Sequence, residues 1–174
     1  MQFYSYWRST TSYRVRAALN LKELDYEEIA VNLISGDQAS EDYKAINPSM
    51  GVPTLVLDDG TKLTQSLAII DYLDCVYPEP PLLSKDPVER AKILALAHIV
   101  AMDIHPLNNL RATKWLQAEL ETSEDQNIAW MHHWMGLGFD AAESRVGGKT
   151  DFSFGDTPNM ADLCLVAQLY NARR

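Results

Sequence analysis

Val52-Pro53-Thr54-Leu55-Val56-Leu57-Asp58-Asp59-Gly60-Thr61-Lys62-Leu63-Thr64-Gln65-Ser66-Leu67-Ala68-Ile69 decides the fold class. Thr54–Leu57 and Lys62–Thr64 are short strand-forming runs, and Asp58-Asp59-Gly60 between them is a strong hairpin signal. Ser66–Val76 then takes helical spacing, with Leu67, Ile70, Leu73 and, one turn on, Tyr77 on one face. On the N-terminal side, Gln2–Tyr6 is an aromatic-rich strand. Ser12 is placed to cap a helix to about Leu24, with Val15, Ala18, Leu19 and Lys22 at helical spacing. Tyr26–Val31 is a second strand, and Asp37–Ala45 is a short polar helix or turn ended by Asn47-Pro48. The order is β-α-β-(α)-β-β-α. A helix between two strands predicts a parallel pair, and the hairpin adds an antiparallel one.

Past the hairpin and its helix the periodicity changes. Tyr77-Pro78-Glu79-Pro80-Pro81 is a Pro-rich linker, and Asp86-Pro87 has the form of a helix start. The expected division is therefore residues 1–76, a linker at 77–86, and an all-helical part at 87–174. Within that part Val88–Asp103 and Leu107–Leu120 are amphipathic, with Pro106 bending the path between them. Glu124–Val146 is a long helix broken by Gly147-Gly148-Lys149, and Asn159–Arg174 is the last. Asn159 can cap it and Asp162 can return a bond to the cap, so Asp162 is read as a capping residue, not a catalytic one. Leu163, Val166, Ala167 and Tyr170 keep an apolar rhythm with no Gly or Pro after them, so a continuation beyond Arg174 is expected.

Composition narrows the function classes. With 47% hydrophobic and 22% charged residues, the chain can bury a core, which excludes a disordered or disulfide-dense class. The net charge is 15 − 24 = −9, and both halves are acidic. Nucleic acid and anionic membranes are not expected partners, and an anionic substrate must be held by a few placed cations. Cys75 and Cys164 lie in apolar helical patterns without a CxxC pair; they are expected to be buried free thiols of a reducing compartment. The start carries no leader pattern and the apolar run Ile93–Met102 is too short to span a bilayer, so a soluble, cytoplasmic protein is expected. His132-His133 are adjacent and point apart on a helix, and His98 and His105 are seven residues apart, so no metal site is expected. Trp115, Trp130 and Trp134 are expected to pack helices.

A thioredoxin-like β-α-β-β-α half, a Pro-rich linker and an all-helical half resemble the layout of the cytosolic glutathione transferases. The motifs are closer still. Tyr4-Ser5-Tyr6-Trp7-Arg8-Ser9-Thr10-Thr11-Ser12-Tyr13-Arg14-Val15-Arg16 resembles the signature of the zeta class, in which a Ser-Ser-Cys-like run precedes Arg-Val-Arg. Asn47-Pro48, Val52-Pro53-Thr54-Leu55, Gln65-Ser66-Leu67-Ala68-Ile69, His105-Pro106-Leu107-Asn108-Asn109-Leu110 and Met160-Ala161-Asp162-Leu163-Cys164-Leu165 are similar to the same class. Thr10 and Thr11 depart from the family's Ser and Cys, which excludes a protein cysteine from that loop. Ser49-Met50-Gly51 replaces more polar residues, and the family usually continues past the position of Arg174.

The resemblance implies a glutathione transferase fold with glutathione as cofactor. A tripeptide thiol needs a backbone edge, a site for its γ-glutamyl end and a donor near sulfur. From residues alone Val52-Pro53 is an ordinary trans bond at a strand start; the resemblance implies a cis bond that lets Val52 pair with the peptide. Gln65-Ser66, just before a helix, suits a carboxylate and equally suits plain capping. The donor near sulfur comes from Ser9, Thr10 or Thr11, and the resemblance gives Ser9 the catalytic position. It also implies glutathione contacts from Gln38 and Asn108, and substrate carboxylate contacts from Arg8 and Arg174. Arg14 and Arg16 suit helix-surface or interdomain salt bridges better. The implied reaction is isomerisation of maleylacetoacetate to fumarylacetoacetate by thiolate addition, bond rotation and elimination, in a homodimer. A transferase acting on another electrophile, such as a haloacid, and a non-catalytic binding protein of the same fold are the alternatives.

Overall fold

Short strands alternate with helices over the first 76 residues and give way to helices alone. The computed structural model describes the whole chain except Gly147, Lys149 and Arg174. Strands β1 (Gln2–Ser5), β2 (Glu27–Ala30), β3 (Thr54–Val56) and β4 (Lys62–Thr64) form one sheet in the order β2-β1-β3-β4. β1 runs parallel to β2, with Phe3 opposite Glu28, and antiparallel to β3, with Phe3 opposite Leu55. β3 and β4 pair antiparallel, Leu55 opposite Leu63. Their turn closes through Gly60 N–H on the Leu57 carbonyl at 2.9 Å, with Gly60 in the left-handed region at φ 86°. Helix α1 (Thr10–Leu21) packs against α3 (Ser66–Val76) beside this sheet. Val15, Ala18 and Leu19 of α1 and Ile69, Ile70 and Leu73 of α3 are buried with Phe3 and Leu55. Burying each large aliphatic side chain here stabilises the unit by about 1.5–3 kcal/mol. The buried stripe of α3 centres on Ile69 and Ile70, with Leu67 only half-buried. A 3₁₀ turn (Asp37–Ala39) and helix α2 (Glu41–Ile46) link β2 to β3.

Three local differences from the sequence expectations have physical causes. Helix α1 starts at Thr10, capped by Ser9, because Ser12 is buried inside the first turn and its hydroxyl accepts from Tyr6 N–H at 3.3 Å. Arg14 is buried at 1% exposure instead of lying on the helix surface, and Arg16 pairs with Glu28 within the same unit. Cys75 is exposed, because it falls on the outer face of α3; Cys164 is buried.

The chain divides into two units, Met1–Leu83 and Ser84–Arg174. The division lies after most of the Pro-rich stretch because that stretch is tied back onto the first unit. The Lys22 ammonium, fully buried, donates to Asp74 Oδ1 at 2.9 Å and to the carbonyls of Tyr77 at 2.6 Å and Pro80 at 2.9 Å. The Asp74 carboxylate in turn accepts from the N–H groups of Leu82 and Leu83 at 2.7 and 3.1 Å. All three ammonium donors are thus matched, which offsets the cost of burying the charge.

The second unit is helical. Helix α4 (Pro87–His98) starts on Asp86, whose carboxylate accepts from Val88 and Glu89 N–H. It runs into a π-helical stretch, Ile99–Ile104, then α5 (His105–Asn108) and α6 (Leu110–Leu120). The path is interrupted at Asn109, which is extended at ψ 147° and caps α6, three residues after Pro106. The π register just before Pro106 suits a residue with no N–H to give to the preceding turn. By length and composition alone Pro87–Leu120 is long and apolar enough to cross a membrane, with mean hydropathy 1.2 in its most apolar window. Its Ile93, Leu96, Val100 and Ile104 are instead buried, and the stretch packs against α7 (Glu124–Glu143) and α8 (Met160–Arg173). Gly138 of α7 gives Ile104 its room: a Cβ there would lie 2.1 Å from Ile104 Cγ1. Helix α7 opens with a Ser123–Gln126 capping box, and α8 opens on Asn159, with Asp162 returning to the Asn159 N–H at 2.9 Å. Asp162 also binds the Ser153 N–H, so its role is structural. Leu163 and Ala167 of α8 are buried with Cys164 and Gln168, whereas Val166 and Tyr170 are exposed. Trp130 and Trp134 stack edge to face, while Trp115 is 56% exposed and packs no core.

Candidate active site

The polar loops of the first unit converge after the C-terminal end of β1. A hydrogen-bonded turn, Ser9 N–H to the Tyr6 carbonyl at 3.0 Å, carries the chain from β1 into α1. Ser9 then caps α1: its Oγ accepts from Ser12 N–H at 3.1 Å. Ser9 Oγ lies 2.8 Å from Thr11 Oγ1, and Thr11 Oγ1 donates to the Val52 carbonyl at 2.8 Å. Thr11 has one hydroxyl proton and gives it to Val52, so Ser9 is the donor to Thr11. The row Ser12 N–H, Ser9, Thr11, Val52 therefore has one direction, and it joins the loop after β1 to the loop before β3. Val52-Pro53 is cis, and Pro53 is buried. Thr10, beside Ser9 as the first residue of α1, is half-buried.

The loop that presents Val52 is held by two residues, Tyr43 and Asn47. The Tyr43 hydroxyl donates to the Gly51 carbonyl at 2.6 Å. Asn47 Nδ2 donates to the same carbonyl at 2.8 Å and to Thr54 Oγ1 at 3.1 Å, while Asn47 Oδ1 accepts from Ser49 N–H. Both side chains are at least 96% buried, Tyr43 at 4% and Asn47 at 3% exposure. Burial pushes the Tyr43 phenol above its ordinary value despite its hydrogen bonds to Thr54 and Asn47, so it stays protonated as a donor. The sequence signs of this bracket fall on Asn47 alone: Asn47-Pro48 reads as a helix stop and is similar to a zeta-class motif, and neither reading marks Tyr43.

Gln65 and Ser66 stand at the start of α3. Gln65 occupies the cap position at φ 68°, ψ 114°, without a side-chain cap bond, and its side chain is exposed. A non-glycine residue in that region is strained, and the first turn of α3 keeps N–H groups without a side-chain acceptor from its cap. Ser66 is the first helical residue, so plain capping is not its role. Its hydroxyl accepts from the Arg14 guanidinium at 3.3 Å. A buried cation behind a helix N-terminus adds to the positive potential there. Arg14 is thus a supporting residue of this site, unsignalled because a helix arginine ordinarily faces solvent.

The remaining predicted residues are placed separately. Gln38 sits in the 3₁₀ turn, and its Oε1 is buried with no partner among the described residues. Arg8 is exposed on the turn before Ser9. Asn108 ends α5 in the helical unit, with Nδ2 buried and unpartnered among the described residues. Arg174 lies outside the described residues. A depression of about 700 Å³ lies at the other end of β1, lined by Met1, Asp25, Glu27 and Asp58 among others. Its carboxylates oppose an anionic peptide, so it is not a rival for the same ligand.

Comparison with known proteins agrees with this arrangement. Residues 3–81 match the family model described as glutathione S-transferase, N-terminal domain. The maleylacetoacetate isomerase of Pseudomonas aeruginosa is 47% identical over 176 residues, covering all of this chain and 82% of that protein. The holo structure of a maleylpyruvate isomerase, described as a bacterial zeta-class glutathione S-transferase, superposes with TM-score 0.96 at 43% identity, covering 100% of this chain and 83% of that one. A maleylacetoacetate isomerase from Methylobacterium extorquens, solved with malonate and glutathione bound, gives TM-score 0.95 at 38% identity, covering 99% and 82%. The chain belongs to the zeta class of glutathione transferases.

Proposed function

We propose that the protein is a glutathione-dependent cis–trans isomerase of maleylacetoacetate, yielding fumarylacetoacetate. The observation that carries this reading is the directed row Ser9–Thr11–Val52, which sets a hydroxyl donor and a peptide-pairing backbone side by side. Relatives named for this isomerisation, at up to 47% identity across the full chain, support the same chemistry. The residues of the first unit fit the cofactor: among the described residues the buried Gln38 Oε1 lacks a partner, which a peptide amide supplies. Bound glutathione supplies a thiolate that adds reversibly to the conjugated cis double bond and allows it to rotate.

The chain's own residues then have these roles. Val52 pairs with the tripeptide backbone, and Pro53 fixes the shape of that edge. Ser66 and the first turn of α3, backed by Arg14, hold the γ-glutamyl carboxylate, with Gln65 beside it. Gln38 completes the cofactor contacts of this unit. Ser9 gives up its bond to Thr11 and donates to sulfur, lowering the thiol pKa from its free value near ~8.5. Thr10 and Thr11 keep Ser9 in place, and the α1 N-terminus adds positive potential. Arg8 holds a substrate carboxylate and stabilises developing enolate charge. The enzyme is proposed to act as a homodimer in the cytoplasm.

The maleylpyruvate isomerase likeness, at TM-score 0.96, favours a second substrate with the same cis-conjugated acid core. The test is turnover of maleylacetone, a stable analogue, with and without glutathione, and of maleylpyruvate alongside. Glutathione-dependent isomerisation of maleylacetone supports the proposal. Turnover of maleylpyruvate alone would shift the substrate, and silence toward both would overturn the isomerase reading.

A further inference from the structure

The turn that delivers Ser9 also displays an indole. Tyr6 and Ser9 close the turn by their 3.0 Å backbone bond, and Trp7 and Arg8 are its two central residues. Trp7 is 73% exposed, the most exposed large apolar side chain among the described residues. Its neighbour Tyr6 is buried, and the two rings lie 6.0 Å apart between centroids at 58°. The turn is anchored at one end by Tyr6 N–H on the buried Ser12 hydroxyl and at the other by the Ser9 cap. Trp7 is therefore held on a short bonded scaffold that a longer loop would not provide. An indole so exposed contributes little to the core, yet it offers a flat π-face on the residue that precedes Arg8, two residues from the proposed thiol donor.

We propose that Trp7 is a positioning and specificity-determining residue for the substrate, a platform on which the planar conjugated part of a cis-enone acid stacks while Arg8 holds a carboxylate. The chemistry matches on both counts. The reacting unit is flat and apolar on its faces, and its ends are anionic. Stacking covers one face of the conjugated plane and leaves the other open for addition. It also favours conjugated acids over small saturated electrophiles such as haloacids, which have no plane to stack. This inference rests on the placing of the thiol site at Ser9.

The experiment compares Trp7→Ala and Trp7→Phe with the parent protein. In Trp7→Ala the KM for maleylacetone rises about tenfold, while the KM for glutathione stays within about twofold. Trp7→Phe retains most of the affinity, since the ring is kept. Binding is also read without turnover: maleylacetone added to the parent saturated with S-methylglutathione, which has no free thiol to add, quenches indole fluorescence, and most of that quench is missing in Trp7→Phe. A side chain so exposed leaves the melting temperature unchanged in both variants. An unchanged maleylacetone KM in Trp7→Ala, an equal rise in the glutathione KM, or a changed oligomeric state would overturn the platform. Ser9→Ala measured in parallel separates the two claims. Full turnover in Ser9→Ala moves the donor to Thr10 or Thr11 and overturns the Ser9 reading on which the platform rests, whereas lost turnover there with an unmoved Trp7→Ala KM refutes the platform alone.

Discussion

The two units of this chain are held together by different means. In Met1–Leu83 a set of buried polar side chains is matched, Lys22 with Asp74 and two carbonyls, Asn47 with Gly51 and Thr54, Tyr43 with Gly51, and Gln38 Oε1 is an exception among the described residues. In the helical unit the joints are apolar, Ile104 against Gly138 and Leu96 and Val100 in the core, and several buried amides stand without partners among the described residues, including Asn127 Nδ2 and Gln168 Oε1. A hydrogen-bonded frame fixes loop positions to within a bond length, which a thiol-activating site requires. Apolar packing fixes helices but tolerates rearrangement of their surfaces.

Removing a matched polar group should therefore do the most damage. Lys22→Met leaves the Asp74 carboxylate buried without its cation and releases Tyr77 and Pro80, at a cost of about 3–5 kcal/mol in denaturant unfolding. A loss below about 1 kcal/mol would erase the contrast between the units. Gly138→Ala probes the apolar joint. Its methyl group displaces Ile104, and the expected loss is about 1–3 kcal/mol in the same experiment, with glutathione affinity unaltered. A gain in stability would mean that the π-helical stretch yields easily.

The smallest effect concerns Glu28 on the surface of the sheet. Burial alone would raise its carboxyl, but hydrogen bonds from Arg16 and Ser5 and the Arg16 charge hold it below its ordinary 4.5. A carboxyl whose folded value is lowered adds stability above its unfolded value and loses it as pH falls through the folded one. Glu28→Gln should cost about 0–1 kcal/mol at neutral pH, and the difference should vanish well below pH 4.5. A deficit that persists in acid would assign the effect to packing instead.

Much of the first unit is legible because its signals are local. Asp58-Asp59-Gly60 writes its own turn, and Ser66–Val76 has matching ends in sequence and structure. The start of α1 is not legible, since Ser9, Thr10, Thr11 and Ser12 are all residues able to cap; only the burial of Ser12 selects Ser9. The Tyr43–Asn47 bracket and the burial of Arg14 depend on partners brought from Gly51, Thr54 and Ser66 by the fold, which no local pattern encodes. In the helical unit the π stretch keeps apolar residues coming at helical intervals, so periodicity does not separate it from α4. Apolar residues also run around most of α8, so spacing alone does not tell that Val166 and Tyr170 face outward.

The central claim is that Ser9, capping α1 and bonded to Thr11, lowers the pKa of a bound thiol. Its direct test is an ultraviolet titration of the thiolate of glutathione bound to the parent protein and to Ser9→Ala. The parent should titrate at least about one unit below the free thiol's ~8.5, and Ser9→Ala should return most of the way to it with turnover reduced about ten- to a thousand-fold. An identical low pKa in both proteins would contradict the assignment and move the donor to Thr10 or Thr11.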